Sequence, residues 1–199
     1  MFLDPSKPIT TCTRSTCEDC SLLHSIHCHF SGKDLAKFFG AAFPVLILGG
    51  IGVYRLGFWV FLPWFLFIFS YFGFIEIRVM CSHCPHYAEP GNSLQCWANY
   101  GSPRLWRFRP GPMSGMEKVI FFAGLLVIFG FPIFASLSQL SWLLGILYAA
   151  AVVGGYMFMR KFMCSQCMNF ACPLNLVDEG RKAAFFKINP EYAAGWEEK

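Results

Sequence analysis

The chain has 199 residues, 55% of them apolar and only 14% charged, with 23 Phe, ten Cys and a formal net charge of +4. A soluble domain carries about 25% charged residues, and a water-facing surface of this size does not hide so much apolar side chain, so composition excludes an ordinary soluble protein. The small basic excess sits beside apolar runs, where it suits anionic lipid head groups and needs no nucleic acid to explain it.

Residues 1–37 read as a polar segment rich in Cys and His. Cys12, Cys17, Cys20 and Cys28 are spaced Cys-x4-Cys-x2-Cys-x7-Cys, and the first three match the order found in plant-type ferredoxins. The fourth cysteine comes too soon for that fold and no strand pattern surrounds the group. The spacing therefore carries chemistry only: three or four thiols able to surround one centre. His24, His27 and His29 stand among them, as further metal donors or as ordinary solvated residues. Four Cys, three His and no apolar core in the first 30 residues do not read as a removable signal peptide. Ser31 predicts a helix start that carries Lys33 and Lys37 at head-group level into the first span.

No charge falls in 38–54, 56–75 or 119–159. A bilayer core takes about 20 apolar residues per helix, so the first two runs are one span each. The third is two spans, folded at the polar "SLSQLS" of 136–141. The expected fold is an all-α integral membrane protein with four transmembrane helices, 38–54, 57–76, 119–137 and 141–160. They form two tandem hairpins, 38–76 and 119–160, flanked by cysteine-rich cytoplasmic segments at 1–37, 77–118 and 161–199. Gly49-Gly50 and Gly154-Gly155 permit close helix contact, and Pro44, Pro63 and Pro132 can kink their spans. Apart from Glu76 at a border, the spans lack His, Lys, Asp and Glu, which argues against an intramembrane b-type haem and against ion-coupled transport. Their Phe-rich walls suit lipid tails or a quinone.

Each hairpin is followed by the same thiol phrase, "MCSHCPHYA" from Met80 and "MCSQCMNFA" from Met163. Cys81 and Cys84 align with Cys164 and Cys167, Tyr87-Ala88 aligns with Phe170-Ala171, and a third cysteine follows each time, Cys96 and Cys172. A Cys-x2-Cys pair supplies half of a tetrahedral site, so the repeat predicts that one copy completes the other, with the four CSxC thiols around a single centre. Two units in the same orientation are related by an axis along the membrane normal. Between the copies, Trp97, Tyr100, Trp106 and Phe108 interleave with Arg104, Arg107 and Arg109, a mixture suited to the membrane interface or to covering a cluster. The tail "AAFFKINPEYAAGW" reads as a short amphipathic segment.

Fifteen of the 16 Lys and Arg fall on the face shared by the N-terminus, the middle loop and the tail, and only Arg55 on the other. The positive-inside rule then places both termini of this multi-pass protein in the cytoplasm. That compartment is reducing, so ten thiols gathered there are read as metal or redox groups and not as disulfides. All ten are candidate metal ligands. Cys81, Cys84, Cys96, Cys164, Cys167 and Cys172 are the candidate cofactor site. The leading expectation is iron–sulfur, as [4Fe–4S], in a subunit that transfers electrons within a larger membrane redox complex; whether the chain is itself an enzyme stays open. The alternatives are a zinc-stabilised membrane scaffold and a thiol–disulfide protein.

Overall fold

The computed structural model describes Asp4 and residues 6–197. Among the described residues, four helices are long and apolar enough to cross a membrane. The first, α1 (Gly32–Tyr54), begins earlier than the charge-free run, because the Ser31 hydroxyl caps it by accepting from Asp34 N. The second span starts as α2 (Phe58–Ser70), widens into one π turn (Tyr71–Ile75) and closes as α3 (Glu76–Val79). The third is α4 (Gly115–Ser138), opened by a Ser114–Glu117 capping box, and the fourth is α5 (Trp142–Phe162). Their outer faces carry large exposed apolar side chains, with Trp59 at 81%, Leu126 at 72% and Leu143 at 72% exposure, so the solvent these faces match is hydrocarbon.

α1 packs against α5, α4 and α2, and α4 packs against α5. Close approach depends on small residues. Gly49 meets the Pro132 ring and Tyr148, and Gly155 meets the Ala41 carbonyl, whereas Gly154 touches nothing across a helix interface. Tyr71 lies 1% exposed in a cluster with Val53, Trp64, Ile68, Ile128 and Ala135. Its ring fills the space over Gly124, and its hydroxyl donates to Phe121 O at 2.7 Å.

The two short connections meet at one end of the bundle, where Gln139 Nε2 donates to Gly52 O at 3.1 Å. Leu140 turns the second connection with φ +53°. At the other end the N-terminal segment, the middle loop and the tail converge. His27 N donates to Gln166 O at 2.7 Å, Thr13 N to Ile188 O at 2.9 Å, and Asn169 Nδ2 to Met80 O at 3.2 Å. Every cysteine lies in these converging segments.

Two elements differ from the sequence expectation. The middle loop holds a short antiparallel hairpin, β1 (Ser93–Gln95) with β2 (Tyr100–Pro103), so the fold is not wholly α-helical. Gly101, with φ +82°, lies inside β2 where the pairing with β1 shifts register. The tail is two helices, α6 (Glu179–Ile188), capped by Asp178, and α7 (Pro190–Glu197). Phe170, Phe185, Phe186, Tyr192 and Trp196 pack ring on ring where these helices dock.

Candidate metal centre

The repeated phrase folds alike in both copies. Each span ends at a Met that leaves the helix in the same way, Met80 with φ −122°, ψ −55° and Met163 with φ −126°, ψ −55°. A single 3₁₀ turn follows, Cys81–His83 and Cys164–Gln166, and the next cysteine is extended in both. The Ser between the thiols turns back onto the last helical turn, Ser82 Oγ to Arg78 O at 2.7 Å and Ser165 Oγ to Lys161 O at 2.7 Å. The chain then presents an amide N–H two residues on to the second sulfur, His86 N–H to Cys84 and Asn169 N–H to Cys167. N–H donors directed at sulfur stabilise the thiolate over the thiol.

The two copies and their third cysteines form a central group of six thiols. Cys84 is buried and packs in one cluster with Met168 and Phe170 of the second copy. Cys172 and Met80 of the first copy pack against one cluster, which contains Val79 and Ala171. Asn99 Nδ2 donates to Cys81 Sγ at 3.2 Å and to Glu76 Oε2 at 3.0 Å, which brings the Cys96 loop onto Cys81, and Cys81 Sγ donates to the same carboxylate at 3.4 Å. Leu176 N donates to Cys164 O at 3.0 Å and Asn175 Nδ2 to Cys167 O at 2.6 Å, folding the Cys172 turn back over the second motif. Burial pushes the Cys84 and Cys167 thiols well above their ordinary range, and neighbouring thiols push them further. Burial also raises Cys96 and carries Cys172 up to about 12, against opposing amide donors from Ala98 and Leu174. A buried thiolate without a cation is unfavourable, so without one these thiols stay protonated, and the amide donors and burial act on the same sulfurs in opposite directions.

The second group is Cys12, Cys17, Cys20 and Cys28. Cys12 N bonds to Ile9 O, and Cys20 N to Cys17 O, in tight turns that point the sulfurs inward. All four line one apolar cavity of about 20 Å³, closed by Phe185, Ile188 and Asn189 of the tail. Asn189 fixes that wall, accepting from Thr11 Oγ1 at 2.8 Å and donating to Phe185 O at 2.9 Å. Burial, with Cys20, Cys12 and Cys17 close by, pushes Cys28 up to about 12. Cys12, Cys20 and Cys28 pack on the cluster that contains Cys84, so one apolar body separates and joins the two groups.

The histidines divide by position. His29 Nε2 lies 2.9 Å from Lys7 O and 3.9 Å from Cys17 Sγ, at the rim of the cavity, while His24 is exposed. His83, inside the first motif, is fully engaged: its Nδ1–H donates to Gly111 O at 3.0 Å, leaving Nε2 to accept from Arg109 at 3.1 Å. Arg109 also reaches Arg78 O, Ser82 Oγ and Glu117, fastening the middle loop to α4. Of the interleaved aromatics, Trp97 packs on Phe38 and Tyr100 on Phe30, covering the Cys96 loop. Trp106 lies under Arg78, and Phe108 stacks towards Tyr192. Glu76, Asn99, Asn169, Asn175 and Arg109 do much of the positioning. Their one sequence signal is proximity to a cysteine or to the end of a span.

All ten cysteines are free thiols. Among the described residues no three His, Cys, Asp or Glu side chains stand close enough together to hold a metal ion as placed. The two groups are gatherings of thiols, not closed coordination spheres. Compared with protein-family models, curated proteins and solved structures, the chain matches none.

Proposed function

We propose that the chain is a multi-pass membrane protein whose two hairpins present metal–thiolate centres to the cytoplasm, with iron and sulfur as the redox material. As a subunit of a larger membrane complex, it relays electrons between a soluble donor and a membrane acceptor, a quinone being the natural class. The observation that carries this reading is the gathering of all ten cysteines, none of them exposed, into two groups beyond one end of the spans, with backbone N–H groups directed at the second sulfur of each repeated motif. Hydrogen bonds to sulfur and burial are the levers by which a protein sets the potential of an iron–thiolate centre. In their charge-free runs the spans lack His, Lys and Asp, and Glu76 lies at a border, which does not favour ion-coupled transport.

The donors are of the right chemical type, six thiols in one group and four in the other, none of them exposed. The test is anaerobic purification with metal, acid-labile sulfide and visible absorbance measured together. Iron with broad absorbance that bleaches on reduction supports the relay. A colourless sample without iron rejects it.

A zinc-stabilised scaffold is favoured by one specific feature, the cavity among Cys12, Cys17, Cys20 and Cys28. Its polar lining is four thiols with His29 at the rim and Asn189 in the wall, and four thiols are the donor set of a structural zinc ion. On this reading the N-terminal group pins the tail helices to the first span while the central group carries the redox chemistry. Zinc at the first group together with iron at the second is the combined outcome.

A further inference from the structure

Six thiols are two more than one tetrahedral ion takes and two fewer than two separate ions need. The placement of the six resolves the mismatch. In the first copy Cys81 and Cys96 belong together: Asn99, three residues after Cys96, reaches Cys81 Sγ at 3.2 Å. In the second copy Cys164 and Cys172 belong together: the turn after Cys172 bonds back through Leu176 N to Cys164 O at 3.0 Å. Cys84 and Cys167 are the thiols that face across. Cys84 packs among Met168 and Phe170 of the second copy, and Asn169, two residues past Cys167, reaches Met80 O of the first at 3.2 Å. The charges agree: Cys84 is within electrostatic reach of Cys167, Cys96 and Cys172, and Cys167 of Cys96, Cys172 and Cys164.

Each copy thus contributes two thiols of its own half and one that looks into both halves. Two four-coordinate ions require eight metal–sulfur bonds, and six sulfurs provide them when two of the sulfurs bridge. We infer that the central group is a binuclear centre, in which Cys81 and Cys96 hold one ion, Cys164 and Cys172 hold the other, and the Cys84 and Cys167 thiolates bridge them. This rests on the metal–thiolate reading above and replaces the single four-thiolate site that the CSxC pairs alone suggest. The His86 and Asn169 amides then point at the two bridging sulfurs. With iron bound, protein sulfur stands where an ordinary cluster carries inorganic sulfide. Binding draws the two halves together, since among the described residues no three donors are at holding distance as placed.

The test uses the full chain purified anaerobically, alongside a full-length variant in which Cys12, Cys17, Cys20 and Cys28 are all Ser, so that only the central group binds. Metal and acid-labile sulfide are counted per chain, and X-ray absorption reads the ligand shell. The inference requires two ions in the central group, a sulfur-only shell, a metal–metal vector and no acid-labile sulfide. The variant pairs Cys81→Ser/Cys96→Ser and Cys164→Ser/Cys172→Ser each keep one ion, held by the four remaining thiols, whereas Cys84→Ser/Cys167→Ser keeps none. One ion, or a sulfide-containing cluster indifferent to Cys96→Ser and Cys172→Ser, overturns the binuclear centre and leaves the metal–thiolate reading standing. No bound metal in the wild-type chain overturns both. Absorption measured on the wild-type protein decides the matter even where a variant fails to fold.

Discussion

Replacing Gly124 by Ala is the sharpest test of how the spans are held together. A Cβ there lands inside the Tyr71 ring. The ring has little room to yield, being 1% exposed and anchored by its hydroxyl to Phe121 O at 2.7 Å, one helical turn from Gly124 on the same helix. Forcing an extra methyl into a filled contact costs about 1–3 kcal/mol. Swinging the ring aside gives up a hydrogen bond worth about 0.6–1.7 kcal/mol between membrane helices. Whichever response is cheaper sets the cost, so the expected loss is roughly 1–3 kcal/mol. Reversible unfolding in mixed detergent micelles, followed by Trp fluorescence, measures it for Gly124→Ala, Tyr71→Leu and the double variant. Removing the ring opens the space, so Gly124→Ala costs little in the Tyr71→Leu background. Equal costs in both backgrounds, or no cost with Tyr71 present, refutes the wedge.

Reporter fusions near Gly101 and at both termini are expected to read cytoplasmic; an opposite-side signal at Gly101 removes the four-span topology and the one-sided thiol argument with it. Arg109→Ala strips the donor shared by Glu117, Ser82 and the Arg78 carbonyl and is expected to cost about 1.5–3 kcal/mol, seen as early proteolysis within 104–113. A cut pattern like wild type contradicts the clamp. Metal uptake by the N-terminal group is expected to tighten as pH rises. Burial raises Cys28 to about 12, so the thiol is protonated near neutrality and gives up its proton to the metal; each proton displaced is worth about 1.4 kcal/mol per pH unit. Chelator competition between about pH 6 and 8 measures the slope, and a flat response rejects thiolate binding at that group.

The spans were legible because three charge-free runs can be satisfied in only one solvent, and the thiol repeat was legible because its spacing is a ligand spacing. The backbone of the repeat follows the letters closely, down to the Ser82 and Ser165 hydroxyls. The approach of the Cys96 loop to Cys81 was not legible, since it depends on Asn99 and Glu76 meeting across a loop with no periodic pattern. Nor was the engagement of His83. Its two ring nitrogens are taken by Gly111 and Arg109, each over 25 residues away in sequence. The β1–β2 hairpin is too short and too polar to announce itself by alternation. The tail helices close the four-thiol cavity through Phe185 and Asn189, a tertiary event that an amphipathic segment alone does not specify.

The π turn at Tyr71–Ile75 bears on how the two halves tolerate insertion and deletion. The 13, 5 and 4 residues of α2, the π turn and α3 run one residue longer than the 21 of α5, yet both spans deliver their Met with nearly the same backbone angles. The widened turn swallows the surplus residue, so that the helix beyond it keeps the orientation a regular helix of the shorter length would give. One residue can then be removed from this span while the thiol motif beyond it hardly moves. Excising Gly73, which faces open space, converts the widened turn to α-helix and leaves Cys81 and Cys84 aimed as before. Excising Gly154 from α5, where no slack exists, turns everything after it by about 100° and carries Cys164 and Cys167 away from their partners. The span that looks irregular is the one with a residue to spare.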